Sequence, residues 1–213
     1  MKVAPSLLAA DFKNLEAEIK KVSGADFLHL DVMDGSLVPN ISFGFSVLDS
    51  IKDLETPKKD VHFMTVHPER WFEKAASDGA YMISFHLEAA GCNANKYIDK
   101  IHSLGCKAGI AINPDVSVRK LYKYIGRADF FLVMSVFAGF GGQKFIEETL
   151  NRVKTLKDEI TKRGENTKIE VDGGLCPANI ASISASGVDI AVAGSAIFGS
   201  KDPSATIEAF RVA

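Results

Sequence analysis

Residues 26–40 read DFLHLDVMDGSLVPN, an apolar run that ends on a histidine and a carboxylate two residues apart and then adds a second acid, a glycine and a proline. Alternation along a strand sends residues i and i+2 to one face, so His29 and Asp31 point together while Leu28 and Leu30 point the other way. That is a paired-ligand geometry at the end of a strand.

Runs of the same kind recur along the chain. Candidate strands are KVAPS, DFLHLDV, KDVHFM, YMISFH, KAGIAI, DFFLVMSV, KIEVD and DIAVAG. Between them lie the amphipathic stretches FKNLEAEIKKV, FSVLDSIKDL, PERWFEKAASD, ANKYIDKIHSL, VRKLYKYI, FIEETLNRVKTLKDEITKR, PANIASISAS and PSATIEAFR, which predict helices. Asp11 stands where the first helix needs an N-cap, and Gly105 and Gly187 stand where left-handed C-cap residues are expected. This is the βαβα rhythm of a parallel sheet covered by helices. About eight strand–helix units, repeating every roughly 25 residues, predict an α/β fold of the (β/α)8 TIM-barrel type, with residues 1–213 as a single catalytic domain. The rival, an open doubly wound sheet, would often show GxGxxG after its first strand; here that strand leads into SLLAAD.

Composition narrows the function. Lys+Arg 25 against Asp+Glu 27 gives a net charge of -2, without the basic excess that a nucleic-acid binder draws on. The start MKVAPSLLAADF lacks the apolar core of a signal peptide, and no uncharged apolar run approaches the ~18 residues of a membrane span, so a cytoplasmic protein is expected. Cys92, Cys106 and Cys176 are an odd count without CxxC spacing and read as ordinary thiols.

In such a barrel the active site lies at the C-terminal ends of the strands. Placing those ends on one rim gathers Ser6, His29, Asp31, His62 and Asp172 from four strands, with Asp60 and Met64 inward on the strand of His62 and Glu170 inward on that of Asp172. Two imidazoles and two carboxylates can bind one divalent ion, and the mixture suits Zn²⁺, Mn²⁺, Fe²⁺ or Co²⁺ better than Ca²⁺. The segment SVFAGFGGQKF supplies Gly139, Gly141 and Gly142 between a strand and the expected helix FIEETL, where backbone N–H groups and a helix N-terminus can approach an anion. Gly173-Gly174 and Gly194-Ser195 end the seventh and eighth strands, where barrels commonly hold phosphate.

With these residues in place the chain resembles the ribulose-phosphate 3-epimerases, from APSLLAADF through HLDVMDGSLVPNISFG, DVHFM, GFGGQKF and VDGG to AGSAIFG. The resemblance implies a metal-dependent barrel in which His29, Asp31, His62 and Asp172 hold one divalent metal ion and Ser6, His62 and Asp172 touch the substrate. Gly139, Phe140, Gly141, Gly142, Gly173, Gly174, Gly194 and Ser195 would hold its phosphate. It also implies that Asp31 and Asp172 exchange protons with carbon 3 of a ketose phosphate through an enediolate, interconverting D-ribulose 5-phosphate and D-xylulose 5-phosphate. The chain departs from the family pattern at Phe137-Ala138, Ser36-Leu37 and His67. Loops of this kind shape the far side of the pocket, so 3-epimerisation of D-allulose 6-phosphate is the alternative, and a non-catalytic sugar-phosphate-binding barrel is a third reading. Decarboxylases and synthases of related barrels place a lysine in DxKxxD, which DVMDG lacks.

Met33, Met64 and Met134 fall at the same rim, as core filler or as an apolar lid over the intermediate. Asp34, one residue off the inward face, is expected to order its loop. His86 and Glu88 read as structural residues or supports of the site, and His102 as a solvated helix residue. Barrels of this kind often assemble into symmetric homo-oligomers, which is the expected state.

Overall fold

A computed structural model describes all 213 residues. Its strands are β1 (Lys2–Pro5), β2 (Phe27–Met33), β3 (Lys58–Met64), β4 (Ala80–His86), β5 (Lys107–Ile112), β6 (Phe130–Met134), β7 (Lys168–Asp172) and β8 (Ile190–Ala193). All pair in parallel in the order β1-β8-β7-β6-β5-β4-β3-β2. The two ends of that order meet as well. Ser6 bridges His29, Asp26 donates its N–H to the Val3 carbonyl at 3.2 Å, and the Val3 N–H donates to the Asp26 carboxylate at 3.0 Å. The sheet is thus the expected TIM barrel, closed along a thinner β1–β2 seam.

The helices are α1 (Leu15–Lys21), α2 (Phe45–Ser50), α3 (Phe72–Ser77), α4 (Leu87–Ala90), α5 (Ala94–Ser103), α6 (Glu148–Lys162), α7 (Ile180–Ala185), α8 (Ser195–Phe198) and α9 (Pro203–Val212). They cover the barrel's outer face, where Leu28, Leu30, Val61, Phe63, Ile83, Phe85 and Phe131 are buried against them. Inside, the opposite set of each strand builds layers. Ala4, Phe27, Met82, Phe130, Ile190 and Val192 form an apolar plug. Gly109 is part of how the plug fits, because a Cβ there would lie 2.2 Å from the Phe130 ring. Toward the strands' C-terminal ends the register sets His29 beside Asp60, Asp31 beside His62, and Met33 beside Met64.

Several elements differ from the sequence expectation. VRKLYKYI is a 3-10 helix over Val118–Tyr124, because its buried residues Val118, Leu121 and Tyr124 recur every third position, the repeat of that helix. Asp11 caps a 3-10 turn, Phe12–Asn14, accepting from Lys13 N–H at 3.0 Å, and the helix proper starts at Leu15. The helix expected from Phe145 begins only at Glu148, since the Ile146 N–H is committed to the Ser135 carbonyl at 2.9 Å and holds its segment against the end of β6. Gly105 and Gly187 do take the left-handed conformation, with φ of 79° and 100°. No helix is long and apolar enough to cross a membrane.

Candidate active site

The rim residues expected from strand alternation converge. One ligand atom from each of His29, Asp31, His62 and Asp172 can be chosen so that all four lie within 4.8 Å of one another. Asp31 is the hub. Its Oδ1 is 3.2 Å from both His29 Nε2 and His62 Nδ1, and its Oδ2 accepts from the Ser6 hydroxyl at 2.7 Å across the β1–β2 seam. His29 points its other nitrogen, Nδ1, at the Asp60 carboxylate. Asp60 in turn belongs to a second, fully buried group with His29 and Glu170.

Charge explains this arrangement. Burial would raise the Asp31 carboxyl, but the His29 charge and the close approach of both imidazoles outweigh it and hold it well below the usual carboxylate range. Burial likewise disfavours an imidazolium at His29, yet the charges of Asp31 and then Asp60 keep it protonated well above its ordinary range. At Asp172 burial and the facing Asp31 charge outweigh the His29 charge and push its carboxyl up to about 7. Burial pushes His62 down to about 4 and, with the neighbouring Asp60 charge, holds Glu170 neutral well above its usual range. The acids therefore demand positive charge between them. His29 Nε2 is buried without a hydrogen-bond partner, although Asp31 lies beside it. A divalent cation that displaced the His29 Nε2 proton would find two carboxylates and a second imidazole around it, a donor set that fits such an ion.

Above this cluster opens a cavity of about 490 Å³. Ser6, Asp31 and Asp172 line it, together with Met33, Met64 and Met134, and Gly139, Phe140, Gly141, Gly142, Gly173, Gly174, Gly194 and Ser195. His62 does not. It is 0% exposed and contacts Asp31 and His86 through its two ring nitrogens. The N–H groups of Gly173 and Gly174 find no acceptor within the chain, and both glycines have positive φ, 116° and 71°. The helix α6 begins six residues after Gly142 and carries Glu148 in its first turn.

The Ribulose-phosphate 3 epimerase family matches residues 2–198. The chain belongs to the ribulose-phosphate 3-epimerase family. It is 44% identical over 199 residues to a ribulose-phosphate 3-epimerase of Synechocystis sp., covering 92% of this chain and 86% of that one. To that of Mycobacterium bovis it is 40% identical over 209 residues, covering 98% and 91%. The fold also resembles the crystal structure of KGPDC from Streptococcus mutans in complex with D-R5P, with a TM-score of 0.74 at 14% identity, covering 99% of this chain and 95% of that one.

Among the other residues singled out in the sequence, Asp34 orders its loop by accepting from the Ser36 N–H at 3.0 Å. His102 is exposed but paired with Asp129 at 2.7 Å. Residues that strand-end reasoning did not pick out also build the site. Asn40 lines the cavity and donates to the Gly139 carbonyl at 2.6 Å, tying the β2 loop to the glycine loop. Ser42 donates to the Asp31 carbonyl, and Gln143 bonds the Phe137 and Phe140 carbonyls at 2.7 and 2.8 Å. Asn113, directly after β5, occupies the kind of strand-end position that singled out His62, so that rule would have found it.

Proposed function

We propose that residues 1–213 act as one catalytic domain, a metal-dependent isomerase that epimerises carbon 3 of a ketose phosphate, D-ribulose 5-phosphate to D-xylulose 5-phosphate. The observation that carries this reading is the pairing of Asp31 and Asp172. Both line one cavity, they come from strands separated by β1 and β8, and both belong to the cluster that could hold a cation.

Inverting a carbon beside a carbonyl requires a base on one face and an acid on the other. Asp31, held ionised by its donors, accepts the proton on its side. Asp172, with its carboxyl raised by burial and by Asp31, returns one on the opposite side, and the roles exchange for the reverse direction. Ser6 fixes the Asp31 carboxylate through Oδ2, leaving Oδ1 toward the imidazoles. Met33, Met64 and Met134 supply an apolar wall that keeps water from the enediolate. The free N–H groups of Gly173 and Gly174 and the loop of Gly139, Phe140, Gly141 and Gly142, with Gly194 and Ser195, take the phosphate. His29, Asp31, His62 and Asp172 would hold one ion of Zn²⁺, Mn²⁺, Fe²⁺ or Co²⁺. When bound, that cation supplies Lewis-acid stabilisation of the negative charge that develops beside the reacting carbon, worth several kcal/mol.

The test is metal analysis of protein purified without chelator, then turnover of D-ribulose 5-phosphate and D-allulose 6-phosphate in deuterated solvent. Faster turnover of the pentulose with deuterium appearing at carbon 3 is expected. Preference for the hexulose would reassign the substrate, and binding without exchange would make the barrel a binding protein. The reading further expects a cytoplasmic homo-oligomer, which light scattering would check.

A further inference from the structure

His86, Glu88 and Asn113 lie outside the four-residue cluster, and the proton transfers above give them no task. His62 turns Nδ1 toward Asp31 and its other nitrogen, Nε2, toward Nε2 of His86 at 3.0 Å. The two rings are inclined by only 21° and meet edge to edge. On its far side His86 presents Nδ1, a buried atom without a hydrogen-bond partner, to Glu88 Oε1 at 3.6 Å. That same oxygen accepts from the backbone N–H and the side-chain amide of Asn113, both at 3.0 Å. Asn113 Oδ1 then accepts from the N–H of Ala138, at 3.0 Å, in the loop that lines the cavity.

The polarity of this chain is set at its carboxylate. A carboxylate only accepts, so Glu88 favours a proton on His86 Nδ1, which leaves Nε2 as an acceptor. With a cation in the cluster, His62 then donates from Nε2 and turns its Nδ1 lone pair to the ion; without one, Nδ1 can donate to the Asp31 carboxylate instead. The chain behind His62 thus favours the tautomer that binds a cation. His29 receives the same service directly from Asp60, whereas His62 receives it from Glu88 at one remove. The 3.6 Å separation is the one open link, and Asn113 controls it from the loop side, because it grips Glu88 with two donors and Ala138 with its acceptor.

Resting on the reading of the cluster as a cation site, we propose that His86, Glu88 and Asn113 are positioning residues. They present the His62 lone pair to the cation and join that site to the β6 loop, so that cation and phosphate strengthen each other's binding. Coupling of this kind is reciprocal: whatever phosphate adds to cation affinity, the cation adds to phosphate affinity.

The test is Co²⁺ affinity of the full-length protein, measured by competition with a chromophoric chelator, with and without saturating inorganic phosphate. In the wild type, phosphate should tighten Co²⁺ binding. Glu88→Ala should weaken it by about 10- to 100-fold, the usual effect of losing a partner behind a metal-binding histidine. Glu88→Gln, which keeps an acceptor oxygen, should restore part of that loss. Asn113→Ala should abolish the phosphate effect. Long-range ¹H–¹⁵N spectra of the histidine side chains with Zn²⁺ bound should show the His62 proton on Nε2 and the His86 proton on Nδ1, a readout that a merely structural role does not predict and that needs no variant to fold. Wild-type affinity in Glu88→Ala, a His86 proton on Nε2 with Zn²⁺ bound, or an unchanged phosphate effect in Asn113→Ala would overturn the positioning chain alone. A wild-type protein that binds no Co²⁺ would overturn the cation site itself and the chain with it.

Discussion

Asp31 carries more of the site than any other side chain, since one oxygen meets two imidazoles and the other a serine. Asp31→Asn keeps the shape and removes the base. Turnover should fall by about 10²- to 10⁴-fold with the thermal melt of the barrel largely retained, and near-normal turnover would take Asp31 out of the mechanism. The glycines divide by what surrounds them. A Cβ on Gly174 would lie 2.5 Å from the backbone nitrogen of Phe145, so Gly174→Ala should distort the loop and lower the melting temperature. A Cβ on Gly142 meets nothing within 4 Å, but φ is 73°, so Gly142→Val should strain the loop without a clash and weaken substrate affinity, read as KM or by calorimetry with inorganic phosphate. His29, Asp31, His62 and Asp172 were legible because alternation puts strand-end residues on one face. Asn40 and Ser42 were not, because they sit in an irregular loop whose return path to Gly139 and Asp31 depends on tertiary packing.

At the scale of elements, the strands were readable almost to the residue, since each needs one face for helices and one for the barrel. Helix boundaries were less so. Amphipathicity marks Val118–Tyr124 as helical but does not say that its core contacts recur every three residues, and nothing local in FIEETL reveals that Ser135 claims the Ile146 N–H. Helix packing can be tested at α3, where Phe72 is fully buried and meets Tyr97 edge-on at 5.6 Å, with Phe63 at 6.0 Å and Phe85 at 6.1 Å. Phe72→Ala should cost about 3–5 kcal/mol, because the strands on one side cannot collapse into the space left behind. Urea unfolding would measure it, and a loss under about 1 kcal/mol would show that α3 is not a structural wall of the barrel.

For the whole molecule, the interior is not one uniform core. An apolar plug fills the end opposite the site, while His29, Asp60 and Glu170 are wholly buried between that plug and the rim. A cation at the rim relieves part of the charge conflict, so its removal should register as lost stability. With cation at 100 times its Kd, binding adds about 2.7 kcal/mol. Stripping the protein with chelator should then lower Tm by about 5–10 °C for a chain of this size, and adding Co²⁺ or Zn²⁺ back should restore it. An unchanged melt would mean that the acids settle their charges without an ion.

The seam between β1 and β2 has a further consequence. Ser6 stands at the end of β1, made before the other seven strands, yet that strand's full ladder is with β8, the last of the eight. Much of the chemistry is thus synthesised early and then waits, unassembled, for the ring to be completed. A chain that ends before β8 leaves β1 without the neighbour that seats Ser6 against Asp31.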